Sequence, residues 1–414
     1  MVLTVRRLPQ LLLSGLGLAP WVLPTPLQAQ QVDRPPSVLD FPDQQYRPYG
    51  LRLGRIMLYP ELVTRLEYDS NIYAKEANRL GDWKAVVMPA VSAQYDAGAV
   101  KVRADASATV RRMFKYRTEN STAALANLQV GWQPNGGTSL QASGGWRRIV
   151  EDRGDPEARA ATDIGPRLIN MYRTELRLTQ NVGRLDFDVR TSFERLDHLS
   201  ALDLERDHDI YAASGRLRYR VSGLVGVFGQ AFISRRDFKL AFDSSGFNRD
   251  ATTYGARGGI AIDPGGLIRG DMGFGVFRFD PSDPQLRARN GLSVDGSLIS
   301  QPTPRIAVTL DGFRGDVATL RRGASSRTDT RIQLGAQVEA RHNLQLEAGV
   351  FYRLTKFVGT PVTQRIVGVR GEVEYLISNR VSLGLNAAYG DRTSDDPTED
   401  YKRIRAGVTF RLRF

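Results

Sequence analysis

The 414-residue chain carries no Cys, 40 Gly and a formal net charge of +12, which excludes a disulfide framework and any thiolate metal site. Its mean hydropathy of -0.32 excludes a helical membrane protein, because each helical crossing needs about 20 nearly uninterrupted apolar residues. A β-barrel escapes that exclusion, since only every second strand residue faces lipid.

Residues 1–29 read as a secretory signal peptide. Arg6 and Arg7 form a basic start, Leu11 to Val22 an apolar stretch, and Leu27-Gln28-Ala29 a cleavage site. The rest of a twin-arginine export motif is missing, so the ordinary secretory route is expected. Cleavage removes two Arg and no acid, leaving a mature charge of +10. Residues 30–55 begin rich in Pro, Gln and Asp, lack a period, and read as an N-terminal periplasmic extension. Residues 56–414 read as one transmembrane β-barrel.

From there the hydrophobic pattern has a period of two. Val100, Val102, Ala104, Ala106, Ala108 and Val110 alternate with Lys101, Arg103, Asp105, Ser107 and Thr109. Neighbouring strand residues point to opposite faces, so the segment has one apolar and one charged wall. The same alternation runs through Leu185 to Glu194, Arg331 to Arg341 and Val367 to Tyr375. A helix with these sequences would spread charge around its whole circumference. Tight-turn residues stand at Asp96-Ala97-Gly98, Pro134-Asn135-Gly136-Gly137, Asn181-Val182-Gly183, Ser222-Gly223 and Pro264-Gly265-Gly266. Between them lie longer polar stretches, among them 74–81, 151–165, 197–207 and 239–250, which read as external loops. Counting segments predicts an all-β fold: a transmembrane antiparallel up-and-down β-barrel of about eighteen strands, with about sixteen as the alternative.

Aromatic residues gather near the predicted strand ends, among them Trp83, Trp132, Trp146, Tyr172, Tyr219, Tyr254 and Tyr375, as interfacial girdles require. The predicted strands, roughly 10 to 14 residues long, exceed the usual 5 or 6 of a soluble sandwich. The chain ends Gly407-Val408-Thr409-Phe410-Arg411-Leu412-Arg413-Phe414, with Phe410, Leu412 and Phe414 on the lipid face. This ending resembles the β-signal read by the outer-membrane barrel assembly machinery. Gly407, Phe410, Leu412 and Phe414 match its small, hydrophobic and terminal aromatic positions. An edge strand with unpaired backbone groups is what an assembly factor captures by strand addition.

The first strand carries a second likeness. Leu58-Tyr59-Pro60-Glu61-Leu62, followed by Tyr68-Asp69-Ser70-Asn71-Ile72-Tyr73, resembles the opening of the β-barrel porin type 2 family. Its members begin with a Pro-containing strand and a YDxNIY-like run, which Tyr68, Asp69, Asn71 and Tyr73 match. The arrangement of a signal peptide and one barrel ending in Phe is similar over nearly the whole mature chain. Members are often found with the exopolysaccharide or capsule machinery of Gram-negative bacteria. The resemblance therefore implies a role in polysaccharide export or surface assembly, with an acidic polysaccharide and its export complex as partners. The family offers no catalytic or binding residues to carry over. Physically, Tyr68 suits a girdle, and Asp69 and Asn71 a strand-to-loop transition at the rim.

Alternation turns Arg103, Arg173, Arg177, Arg216, Arg218 and Arg220 inward, together with acids such as Asp105, Glu175, Asp186, Asp188 and Glu194. One reading is a polar lumen whose opposite charges pair across neighbouring strands. The other is a basic translocation path for an acidic polymer or another anion. Arg216, Arg218 and Arg220, at successive inward positions of one strand, are its main sign. A barrel of about sixteen to eighteen strands is wide enough for an aqueous channel.

No catalytic site is expected. Of the three His, His342 falls on a short turn, while His198 and His208 flank a loop with Asp203, Asp207 and Asp209. A solvated loop is expected there rather than a metal site or an acid–base pair. The acidic run 395–400 likewise reads as solvated charge. No phosphate-cradling Gly loop opens a helix, and the Arg residues form no single patch, so no cofactor, metal or nucleic acid is expected. The expected place is the outer membrane, with lipid and lipopolysaccharide as surroundings. A polysaccharide-export channel, a general diffusion porin and a non-conducting scaffold barrel stay open, because fold does not settle function.

Overall fold

The structure, a computed structural model, describes residues 46–263 and 267–414. The signal peptide, most of the N-terminal extension and the turn Pro264-Gly265-Gly266 lie outside the described residues. A short strand, β1 (Leu51–Leu53), folds back on the start of β2 (Ile56–Asp69), with Leu51 opposite Leu58. Next come β3 (Asp82–Asp96), β4 (Val100–Met113), β5 (Ser121–Trp132), β6 (Thr138–Val150), β7 (Leu168–Val182) and β8 (Leu185–His198). The middle of the chain supplies β9 (His208–Arg220), β10 (Val225–Phe238), β11 (Ala251–Ile262), β12 (Ile268–Pro281), β13 (Arg289–Thr303) and β14 (Ile306–Val317). The ring is completed by β15 (Ser326–Arg341), β16 (Leu344–Val358), β17 (Thr363–Leu376), β18 (Val381–Ser394) and β19 (Tyr401–Arg413).

From β2 onward each strand pairs antiparallel with its neighbour in sequence, and β19 then pairs with β2 to close the sheet. The result is a closed antiparallel barrel of 18 strands, as the alternation predicts. At the seam Gly407 lies opposite Glu67, and Arg413 opposite Glu61. A Cβ on Gly407 would stand 2.7 Å from the Leu66 carbonyl oxygen and 3.1 Å from Glu67 Cα. Glycine is therefore required where the two terminal strands meet. A 14-residue strand such as β2 extends about 46 Å, or about 35 Å along the membrane normal at a tilt near 40°, enough for a hydrocarbon layer of about 30 Å.

The two faces differ as the alternation requires. Outward side chains are apolar and exposed, among them Phe187, Val189, Leu217, Val227, Ile233, Ile260 and Phe274. A continuous apolar belt of this kind belongs in lipid. Tyr68, Trp83, Tyr172 and Tyr211 are exposed near the rim that carries the long loops, and Trp132, Tyr219 and Tyr375 near the rim of tight turns. Inward positions hold charge: Glu67, Lys84, Asp186, Glu194, Arg353, Glu374, Arg403 and Arg411 are all buried. Because an isolated buried charge costs several kcal/mol, this interior is stable only where cations and carboxylates meet.

Candidate functional site

The segment 151–167, between β6 and β7, does not stand in solvent as an external loop would. It turns into the barrel, and Glu151, Arg153 and Asp155 are buried. Its seat on the near wall is apolar, formed by Ile149, Ile169, Met171 and Leu196. On the same side Arg153 donates to Glu119 at 2.5 Å. Arg167 pairs with Glu151 at 2.8 Å and Asp203 at 2.6 Å. Arg159 also pairs with Asp203.

The segment then reaches the far wall. Arg403 on β19 donates to Asp152 at 2.6 Å, and Arg405 lies 3.5 Å from the same carboxylate. Arg392 on β18 donates to the carbonyls of Gly154 and Asp155 at 3.2 and 3.3 Å. Arg353 on β16 lies 3.7 Å from Asp155, and Arg327 on β15 lies 2.7 Å from Glu157. Glu157 holds a left-handed backbone, φ 62°, a conformation that costs a non-glycine residue about 1 kcal/mol or more. Three contacts hold it there: Arg327, the Leu320 amide at 3.0 Å, and Arg167 on its carbonyl at 2.7 Å. The loop thus crosses the lumen and is tied at both ends.

These ties set the loop's titration. Burial pushes the Asp155 carboxyl well above the usual carboxylate range, and the neighbouring Asp152 charge adds to the effect. For Asp152, burial acts upward too, but Arg403 and Arg405 outweigh it and hold that carboxyl low.

Between this loop and the wall of β2 to β6 and β19 lies a cavity of about 420 Å³. Eight cationic side chains face it: Arg65, Lys84, Arg111, Arg147, Arg153, Arg403, Arg405 and Arg411. Arg148 borders it too, but turns its side chain to the outer face, over the Trp146 ring and onto Asn170. Five carboxylates face them, Glu67, Asp69, Glu119, Glu151 and Asp152, so the lining carries a surplus of three positive charges. Lys84 pairs with Glu67 at 2.6 Å and sits 3.5 Å from Asp69. The Arg111 guanidinium finds no hydrogen-bond or ion-pair partner among the described residues, and its Nε is buried.

The sequence-predicted residues fall in four places. Arg216, Arg218 and Arg220 face the interior of β9, away from this cavity, and each is paired. Arg216 meets Asp271 at 2.8 Å and stacks 4.1 Å above the Phe228 ring. Arg218 and Arg220 share Asp186, each at 2.5 Å, and Arg218 also meets Asp263 at 2.7 Å. Arg173 pairs with Glu175 at 2.8 Å, Arg177 with Asp188 at 2.5 Å, and Arg103 with Asp105 at 2.9 Å. Phe410 and Phe414 lie exposed on the outer face, Leu412 half-buried beside them, and the Phe414 amide donates to Pro60 at 3.1 Å across the seam.

The first-strand motif has a structural purpose beyond the rim. Tyr68 packs against Trp83 in the outer girdle, ring centroids 5.4 Å apart. Asp69 binds Arg403 at 2.6 Å and is almost fully buried. Asn71 donates to the carbonyls of Lys75 at 2.7 Å and Lys402 at 3.0 Å, fastening loop 70–81 to the last strand. The Arg153 guanidinium lies 5.7 Å from the Tyr73 ring. The motif therefore joins the seam, the first loop and the inward-folded segment.

The His-containing loop is also not the solvated one expected. Asp203, Asp207, His208 and Asp209 are buried, and His198 Nδ1 lies 2.8 Å from Asp207. The loop packs against the docked segment through Asp203, which shields it from water. In the acidic run, Glu399 meets Arg321 at 2.7 Å and accepts from Gln364 at 2.6 Å, while Asp395, Pro397 and Thr398 are exposed and no residue of the run is buried. Among the described residues no group of three or more His, Asp or Glu side chains is placed to hold a metal ion. Lys84, Arg111 and Arg403, central to the cavity, are missing from the sequence-based set. Extending the period of two to the loop ends of β3, β4 and β19 finds them.

The family profile described as "Putative beta-barrel porin 2" matches residues 43–414. The chain belongs to that family. Family and fold are those of an outer-membrane porin barrel, and the likeness read from the first strand is borne out. No curated protein matches this porin-2 chain. Among solved structures, OpdL of Pseudomonas aeruginosa is similar at 11% identity, covering 87% of this chain and 100% of that one, with a TM-score of 0.43. The siderophore receptor PirA of Pseudomonas aeruginosa shares 10% identity over 86% of this chain and 80% of its own, TM-score 0.42. The FrpB iron transporter of Neisseria meningitidis shares 9% over 85% and 81%, TM-score 0.42.

Proposed function

We propose that this porin-2 barrel is a loop-constricted channel that prefers small anions. The observation that carries the reading is the surplus of three positive charges in the cavity beside segment 151–167. In a confined, low-dielectric passage, fixed charge raises the local concentration of the opposite ion. A small solute can pass beside the docked segment, while the ion pairs of β9 hold the other wall in place. Outer-membrane lipid, lipopolysaccharide and the barrel assembly machinery belong to this reading as its surroundings. They are supported by the apolar belt and the terminal strand.

Export of an acidic extracellular or capsular polysaccharide is the second reading. The same cation surplus and the family resemblance support it, and it requires segment 151–167 to leave the lumen. Reversal potentials in planar bilayers across a potassium chloride gradient test both. The channel reading expects preference for chloride near 0.1 M salt and loss of most of it near 1 M, where the Debye length falls from about 10 to about 3 Å. Cation preference would overturn it. A silent full-length barrel that conducts only after residues 153–164 are removed would favour the second reading.

A further inference from the structure

We propose that the cavity beside segment 151–167 is a binding site for a carboxylate-bearing solute, and that Asp152 occupies its arginines until the solute displaces it. The proposal rests on the channel reading and names the solute class that the channel selects. Three guanidinium groups border one loop carboxylate. Arg403 meets Asp152 at 2.6 Å but is already matched by Asp69, also at 2.6 Å. Arg405 reaches Asp152 only at 3.5 Å, its one ion pair among the described residues. Arg111 lies within electrostatic reach of the acids Asp152 and Glu67 and of Arg403 and Arg405, faces the same cavity, and makes no hydrogen bond or ion pair of its own among the described residues.

A buried cation without a hydrogen-bonded counter-charge costs free energy that an incoming anion in direct contact returns. Guanidinium forks fit the two oxygens of a carboxylate. Asp152 shows that the position accepts a carboxylate group, because it already places one there. The 420 Å³ cavity lies in the range, about 300 to 1,000 Å³, that holds small ligands. Asp152 therefore acts as an intrachain competitor. A solute that replaces it on Arg405 and recruits Arg111 releases one of the ties that hold the segment across the lumen.

Calorimetric titration of the full barrel in detergent with succinate, and with neutral succinamide as control, tests this. Asp152→Asn and Asp152→Ser each bind succinate roughly tenfold more tightly than the parent, because the competing charge is gone. Arg111→Gln binds at least about fivefold more weakly, Arg111→Lys recovers part of the loss, and succinamide binds to none of them. A heat-modifiable band on gels shows that each variant is a folded barrel. Unchanged succinate affinity in both Asp152 variants, or in Arg111→Gln, overturns the site. Inorganic phosphate binding as tightly as succinate overturns the carboxylate assignment. Succinate binding without any anion-preferring current would sink the channel reading and leave the site standing. Such a current with no response to these substitutions would sink the site alone.

Discussion

Gly407 shows how one residue carries both a pattern and a packing constraint. Its place in the terminal strand matches an assembly signal, but the physical reason for glycine is the β2 backbone, 2.7 Å from where a Cβ would stand. Gly407→Ala must push the seam apart, at a cost of about 1–3 kcal/mol. Gly390→Ala on β18 is the matched control, since its nearest neighbour is Tyr401 Cε2 at 4.0 Å. Gel mobility before and after heating should show less folded barrel for Gly407→Ala and normal amounts for Gly390→Ala. Equal yields would remove the steric account of the seam. Asp69 makes a similar point: its motif is readable, but its partner Arg403 is 334 positions away.

At the scale of the element, segment 151–167 is held by charges that titrate. Asp155 is buried beside Asp152 and Glu151 of its own loop and faces Arg353 of β16, with Arg331 of β15 and Arg392 of β18 within electrostatic reach. Its docked carboxyl is raised, so its contribution to docking is complete below the undocked value near 3.9 and is lost as pH rises through the docked value. Asp152 has the opposite sign, since its lowered carboxyl favours docking until pH falls below about 3.9. Between those limits acidification tightens the loop. Single-channel conductance should therefore fall as pH is lowered from neutral towards the undocked carboxyl value near 3.9, and Asp155→Asn should abolish the change. A conductance that rises on acidification in the parent barrel would contradict this assignment. The loop's polar composition is legible in the sequence, but its inward fold is not. Glu151, Asp152, Asp155 and Glu157 look like solvated acids until Arg167, Arg403, Arg353 and Arg327 are brought to them from other strands.

For the whole molecule, closure turns a run of like charges into a bracing network. Arg218 and Arg220 share Asp186 on β8, and Arg218 reaches Asp263 beyond β11. These arginines are only partly buried, 18% and 33% exposed, while Asp186 is 9% exposed. Replacing both by Gln leaves that acid without a counter-charge. The expected loss is about 2 kcal/mol, below the cost of a fully buried pair because solvent screens part of it. The urea midpoint in lipid vesicles should fall, and adding Asp186→Asn should recover much of the loss. A double variant as stable as the parent would mean that this network does not brace the wall.

The sequence alone determined the barrel. Alternation in nearly every strand, tight-turn residues at regular intervals and a terminal aromatic all reflect local rules: which face a side chain takes and what a hairpin demands. The 18-strand ring and its two aromatic girdles follow from those rules. Only the tertiary structure decided which charges meet. Arg111 and Arg216 look alike in sequence, each one inward guanidinium on an amphipathic strand. Closure gives Arg216 both Asp271 and the Phe228 ring, and gives Arg111 neither an acid nor an aromatic partner among the described residues. Coulomb interactions depend on distance in space, and the pairing of strands across a closed ring, with a loop folded through it, sets distances that no local pattern encodes.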